Sequence, residues 1–301
     1  MAYKSGFVTI VGRPNVGKST LLNKILGQKI VITSDKPQTT RKRIKGILTQ
    51  NEGDIQGQIV FVDTPGVHKP LFKLGEFLLD EARISIPDAD VVLFLVDVTE
   101  PAGVGDKWIV DNLLGIEVPI ILVANKADLI KSMDKRDKNL ETYKELFGDK
   151  KITILKASAK TGRNVDDLIK NIFRKLPKGP QYYPDEQVTD QNIREIVEEM
   201  IREKILTNTR EEIPHSVAVL IEKYEDLPTI ANIAATVYVE HDSQKGIVIG
   251  QKGSMLKTIG SEARVEIEEL VEKKVFLELF VKVKKDWRKK DNNLKELGYK
   301  K

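Results

Sequence analysis

Eight consecutive residues near the start of the chain, Gly12-Arg13-Pro14-Asn15-Val16-Gly17-Lys18-Ser19, have the types needed to hold a polyphosphate. Glycines at the first and sixth positions let the backbone wrap oxygens with its N–H groups, with no Cβ in the way. Lys18 brings a positive charge to the β- and γ-phosphates, and Ser19 offers a hydroxyl to Mg²⁺. The spacing is GxxxxGK[ST], and the flanks agree with it. Phe7–Val11 reads as a buried strand, and Ser19–Leu26 as a helix whose N-terminus faces the anion. A chance glycine turn would leave that strand and that helix unexplained. The candidate nucleotide contacts in this stretch are Gly12, Asn15, Val16, Gly17, Lys18, Ser19 and Thr20.

A phosphate loop leaves the base open. Asn125-Lys126-Ala127-Asp128 follows the apolar run Val118–Ala124, at the carboxyl end of a strand, where α/β sheets bind ligands. Asp128 can accept two hydrogen bonds from guanine, at its ring N–H and its exocyclic amine. Adenine lacks both donors, and a buried carboxylate left unpaired is worth about 10⁴–10⁵ in discrimination. Asp63-Thr64-Pro65-Gly66 follows the run Gln58–Val62, and residues 33–43 form a polar stretch with paired threonines, Thr39 and Thr40. That stretch fits a loop whose threonine closes on Mg²⁺ and the γ-phosphate, with Thr40 preferred. The basic cluster Arg41, Lys42, Arg43 and Lys45 reads as a solvated face. His68, His215 and His241 have no metal-ligand spacing.

These residues need a scaffold, and the first half of the chain supplies one. Val/Ile-rich runs at Phe7–Val11, Gln58–Val62, Val91–Val98, Val118–Ala124 and Ile152–Leu155 are nearly continuous, as in parallel strands covered on both faces. Helical patterns at Leu74–Ser85, Lys107–Leu114 and Val165–Leu176 separate them. The expectation is a doubly wound α/β domain over residues 1–176 with a mainly parallel sheet. Pro177-Lys178-Gly179-Pro180-Gln181-Tyr182-Tyr183-Pro184 breaks any helix or strand and opens a linker over 177–189. A smaller α+β domain follows over 190–301. Gln191–Leu206 has a helical period, Val217–Tyr224 and Thr236–His241 read as strands, and Gly246–Ile249 as a strand-like approach to Gly250. Helices are expected at Ser254–Thr258 and Ser261–Lys273, then a strand at Val275–Val283, giving the order α-β-β-α-α-β.

Composition narrows the classes. With 49 Lys+Arg and 45 Asp+Glu the net charge is +4, distributed as +7 over residues 1–179, −8 over 180–274 and +5 over 275–301. The basic C-terminal stretch admits a nucleic-acid partner without establishing one. No run approaches the roughly 20 apolar residues that span a bilayer. Residues 1–5 have no signal-peptide core, and there are no cysteines. These features point to the cytoplasm.

GRPNVGKST, QTTR, DTPGVHKP and NKAD, in this order and followed by GQKG, resemble the Era family of bacterial ribosome-assembly GTPases across essentially the whole chain. The resemblance implies a P-loop GTPase domain followed by a type II KH domain. It implies GTP as substrate, GDP as product and Mg²⁺ as cofactor, with Ser19, Thr40 and Asp63 at the metal. Lys18, Thr40, Gly66 and Asn15 would act in hydrolysis, and Asn125, Lys126, Asp128, Ser158, Ala159 and Lys160 would read guanine. Gly250, Gln251, Lys252, Gly253 and Lys257 would clamp a single-stranded RNA backbone, since a GxxG loop admits phosphates closely. The partners implied are the 3′ end of small-subunit ribosomal RNA and the 30S subunit, with peripheral contact at the inner membrane and a monomeric state. An alternative is a membrane-associated signalling GTPase whose C-terminal domain binds protein or lipid. Trp287, within the basic stretch Lys282–Lys290, either extends the RNA surface or packs on the domain.

One position departs from the familiar GTPase pattern. Val67 stands where many GTPases carry a water-orienting glutamine. Valine cannot hydrogen-bond water, so slow intrinsic turnover is expected. Asn15 matches an asparagine that ligates K⁺ near the phosphates in related GTPases, and the alternative is that it only shapes the loop. GTP is expected to order Gln38–Arg41 and Asp63–His68, and hydrolysis to release them while the domains reorient across the linker.

Overall fold

The computed structural model describes residues 3–34, 36, 39–51, 55–65, 74, 87–210 and 213–299, without the His215 side chain. The chain forms two compact units. One runs to Asp190, apart from short segments, and the other comprises Gln191 onward together with segments that include Ile32–Thr39.

In the first unit the described elements are β1 (Lys4–Val11), α1 (Lys18–Leu26), β2 (Ile44–Gln50), β3 (Gly57–Asp63), β4 (Val91–Asp97), α2 (Val104–Leu113), β5 (Ile120–Asn125), α3 (Met133–Glu145), β6 (Thr153–Lys156) and α4 (Val165–Lys175). The sheet order is β2-β3-β1-β4-β5-β6. All pairings are parallel except β2 with β3. Apolar side chains cover both faces, one around Ile10, Leu21, Phe61 and Phe173, the other around Phe94, Val110, Leu122 and Tyr143. The parallel strands align their carboxyl ends on one edge of the sheet, so Gly12, Asp63, Asp97 and Asn125 gather there.

Two elements of this unit were not readable in advance. Strand β2 is a polar, glycine-containing edge with only Ile44, Gly46 and Ile47 buried. Helix α3 buries only Asn139, Leu140 and Tyr143, too few to print an apolar period. Helix α2 begins three residues earlier than expected, because Asp106 caps the Gly103 N–H at 2.9 Å. The expected helix at 74–85 lies outside the described residues except for Leu74.

The proline-containing stretch after α4 is held against the sheet. Ser5 Oγ donates to the Pro180 carbonyl (2.6 Å), Gln58 Oε1 accepts from the Tyr182 and Tyr183 N–H groups (2.9 Å each), and the Ile47 N–H donates to Val188 O (2.8 Å). Arg41 is 1% exposed, which corrects the expected solvated face at that residue, and Lys45 pairs with Asp190 at 3.0 Å.

The second unit contains α5 (Ile193–Asn208), α6 (Ile213–Ser216), β7 (Ala218–Asp226), β8 (Ile230–Val239), α7 (Asp242–Ile249), α8 (Ser254–Val271), β9 (Lys274–Val283) and α9 (Asp291–Glu296). Its sheet is β7-β8-β9, with β7/β8 antiparallel and β8/β9 parallel. Within this unit Glu203 on α5 accepts the Thr33 N–H at 2.7 Å, and Arg202 donates to the Thr39 carbonyl. The expected strand-like approach at Gly246–Ile249 is instead the end of α7. Gln244 Oε1 accepts the Glu240 and His241 N–H groups (2.8 and 3.1 Å) and starts a helix, which buries Gln244 and Val248 one turn apart. The two helices expected at 254–273 are one. Gly260 does not break it but sits where α8 meets β9, an added Cβ lying 3.4 Å from Leu279 Cδ1.

The basic tail folds back. Trp287 is fully buried, donates from its indole to Ser216 O (2.8 Å) and stacks on Tyr299 at a centroid distance of 5.6 Å. Trp287→Ala therefore costs about 3–5 kcal/mol by cavity formation. Urea unfolding followed by circular dichroism checks it, and a loss below about 1 kcal/mol would contradict this packing role.

Candidate functional site

The phosphate loop lies between β1 and α1. Gly17 has φ +101°, and a Cβ there would sit 2.4 Å from the Asn125 amide nitrogen. A side chain at this position is excluded both by backbone strain and by space. Asn125 shows why the space is filled. It is buried, donates to Val16 O (2.8 Å) and accepts the Ala159 N–H (2.8 Å), so one amide ties the phosphate loop to the loop of Ser158. The Ala159 N–H is thus taken by Asn125, because a buried donor needs a partner. Ser158 is buried and accepts from the Thr161 N–H (3.1 Å), while Lys160 is exposed.

Lys18 is buried at the first turn of α1, its ammonium donating to the Gly12 and Arg13 carbonyls at 3.0 Å each. Burial pulls its pKa from 10.5 down to about 8, against the pull of Asp63. Asp63 is fully buried at the end of β3, and burial raises its pKa from 3.8 to about 6, opposed by Lys18 and by the hydroxyls of Ser19 and Thr40. Ser19 Oγ donates to Asp63 Oδ2 (2.9 Å), and Thr40 Oγ1 lies 2.9 Å from Ser19 Oγ and 3.4 Å from Asp63 Oδ2. Thr39 takes no part, since its hydroxyl donates to the Lys36 carbonyl (2.6 Å). Asp63 Oδ1 is buried with no hydrogen-bond partner among the described residues. Two hydroxyls and a carboxylate with a spare oxygen make an all-oxygen donor set that suits a hard divalent cation.

On the base side, Lys126 (φ +60°) pairs with Asp97 at 2.6 Å, and Asp128 is exposed beside it. Asp128 was expected as a buried carboxylate and stands at the surface instead. Asn15 is exposed with φ +64°. Thr20 is half-buried on α1. Gly66, Val67 and Gln38 lie outside the described residues.

The second unit carries a groove of about 420 Å³ between α8 and β9, lined by residues that include Gly253, Lys257, Arg264 and Phe276. Gly250, with φ +73°, leads into it from the end of α7. A Cβ on it would meet the Met255 N at 2.7 Å. Gln251 and Lys252 are exposed on the turn that follows. Arg264 and Phe276 were not singled out by sequence. Their signal, a basic residue about three turns beyond the GxxG and an aromatic on the following strand, is weak without the fold.

A phosphate loop on a mainly parallel sheet, joined to a GxxG-bearing α-β-β-α-α-β unit, defines a P-loop GTPase with a KH module. A family model described as 50S ribosome-binding GTPase matches residues 7–126, and one described as KH domain matches residues 212–288. GTPase Era of Carboxydothermus hydrogenoformans is 49% identical over 301 residues, covering 99% of each chain, and GTPase Era of Halothermothrix orenii is 48% identical over the full length of both. A variant of Aquifex aeolicus Era bound to GDP.AlF4⁻ superposes with a TM-score of 0.93 at 38% identity, covering 99% of this chain and all of that one. Era in complex with MgGDPNP and nucleotides 1506–1542 of 16S ribosomal RNA gives the same score, identity and coverage. The chain belongs to the Era family of GTPases, and it is a GTPase.

Two outcomes follow from the geometry. Gly17→Ala weakens GDP binding by about tenfold or more, through strain and the Asn125 contact, as titration calorimetry would show. In the nucleotide-free protein the Asp63 contribution to stability is fully present below pH about 4 and is lost as pH rises through about 6, because its folded pKa is the raised one. Asp63→Asn flattens that slope in urea-midpoint measurements from pH 4 to 7, and an unchanged slope would show that another group carries it. Lys18 has the opposite sign: its contribution, present above pH 10.5, is lost as pH falls through about 8.

Proposed function

We propose that this protein is a slow GTP-driven switch that binds the 3′ end of 16S ribosomal RNA through residues 190–301 and acts in assembly of the 30S subunit. The observation that carries this reading is the convergence of Ser19, Thr40 and Asp63 oxygens at the start of α1. Thr40 can complete that cluster only when its loop is closed, which makes loop position a function of what occupies the site. Ser19, Thr40 and Asp63 would hold Mg²⁺, which when bound neutralises charge on the β- and γ-phosphates. Lys18, released from the Gly12 and Arg13 carbonyls, neutralises the same oxygens. Asp128 and Lys126 select guanine, and Asn125, Ser158 and Ala159 hold the loops that frame it. With Val67 in place of glutamine, slow intrinsic turnover is expected, and the Gly66 N–H would sense the γ-phosphate. Asn15, exposed on the phosphate loop, would bind K⁺ there. A kcat at least about tenfold higher in K⁺ than in Na⁺ is expected, and equal rates remove this role.

For RNA, Gly250, Gln251, Lys252 and Gly253 clamp the backbone while Lys257 supplies charge and the α8–β9 groove receives bases. The GTPase Era complex with nucleotides 1506–1542 of 16S ribosomal RNA supports this reading. The basic tail would serve either an RNA or a membrane partner, and three of its charges are engaged within the domain: Arg288 pairs with Glu240, Lys284 with Glu296 and Lys289 with Asp286. No helix among the described residues is long and apolar enough to cross a membrane. We place the protein in the cytoplasm as a monomer, with any contact at the inner membrane peripheral. The test is fluorescence anisotropy with an RNA 12-mer from the 3′ end of 16S ribosomal RNA and a GTP analogue present. Gly250→Asp should weaken RNA binding by at least about tenfold, since the site admits neither a Cβ nor a second anion. Unchanged affinity would remove the GxxG loop from the argument.

A further inference from the structure

The phosphate loop is braced by a set of contacts that no step described above uses. Arg13, its second residue, points away from the phosphates toward the start of α2. Its Nε lies 2.9 Å from Asp106 Oδ2, and its terminal nitrogen donates to Glu100 Oε1 at 2.6 Å. Asp106 is fully buried, and the same Oδ2 takes the Gly103 N–H. Gly105 leaves the room that the Arg13 stem occupies, since a Cβ there would sit 2.9 Å from Arg13 Cδ. The main chain of the same arginine faces the site, its carbonyl accepting one hydrogen bond from the Lys18 ammonium.

The far end of the brace reaches the base side. The loop between β4 and α2 begins at Asp97, which pairs with Lys126. Helix α3 holds this loop along its length: Tyr143 Oη donates to the Asp97 and Glu100 carbonyls (3.0 and 3.2 Å), Asn139 to the Val98 carbonyl (3.0 Å), and Thr142 Oγ1 accepts the Ala102 N–H (2.8 Å). One tethered loop therefore holds both Lys126 and Arg13.

We infer that Arg13 and Asp106 are positioning residues: through the 97–106 loop they hold the phosphate loop at a fixed distance from the base-reading Lys126, so that base and phosphates are gripped together. The brace touches neither the metal cluster nor the attacking water. Its loss falls on ground-state binding of GDP and GTP alike, and far less on the chemical step.

The test is a double-mutant cycle on the full-length chain: Asp106→Asn, Arg13→Gln and the pair together. The readouts are calorimetric Kd for GDP and for a non-hydrolysable GTP analogue, and steady-state kcat and KM. Each single variant should bind both nucleotides about tenfold more weakly, with KM rising more than kcat falls. The double variant should be no weaker than the worse single, because the two side chains act through one contact. The double variant removes both charges at once and keeps the cycle readable if a lone buried carboxylate destabilises Arg13→Gln. Glu100→Gln, at an exposed partner of the same arginine, should give a smaller loss of the same kind. Folded single variants with wild-type Kd, additive losses, or a fall confined to kcat would each overturn the inference.

Discussion

The first unit is organised around two opposite charges that it buries and does not pair directly. Lys18 is turned onto the carbonyls of Gly12 and Arg13, and Asp63 onto the hydroxyls of Ser19 and Thr40. Burial pulls both pKa values toward neutrality from opposite sides. Such an arrangement is costly in an otherwise apolar sheet, and the protein tolerates it because each charge has surrogate partners of the sort a nucleotide and its metal would replace. The strand ends must be parallel to bring these groups to one edge, and the apolar layers of α1, α4, α2 and α3 cover both faces of the sheet beneath them.

The sequence foretold most of this edge. GxxxxGK[ST], D-T-P-G and N-K-A-D work because backbone shape dictates residue type, as Gly17 shows: its φ and the Asn125 amide both forbid a side chain. What was not legible is how the parts lean on one another. That the Ala159 N–H serves Asn125 and that Asp128 stands exposed are matters of a few degrees of backbone, which spacing does not encode, whereas the preference for Thr40 over Thr39 at Asp63 holds. Elements were missed where they bury little. Helix α3 has a polar surface and three buried side chains, and β2 buries only Ile44, Gly46 and Ile47.

In the second unit the same limit took another form. Ile247-Val248-Ile249 is β-branched and strand-like by composition, yet Gln244 caps a helix there, which buries Val248, half-buries Ile249 against the core and leaves Ile247 exposed. A local cap with one buried position outweighed intrinsic preference. Trp287 posed a choice between surface and core that composition could not decide. The indole donor needed an acceptor, and Ser216 O supplies it inside the domain. With that anchor in place the basic residues around it are spaced along a short folded tail rather than a free arm.

The stretch from Pro177 to Asp190 does more than connect. Its Val188 carbonyl and Thr189 bridge pair with Ile47 and Gly46 on β2, the outer strand of the six-stranded sheet. Bare strand edges invite other chains to add on to them. By laying its own backbone there, with prolines upstream that cannot extend the ladder, the protein seals that flank against self-association. A first unit ended at Leu176 would keep its phosphate loop but expose a sticky border, so the segment acts as a built-in guard on solubility.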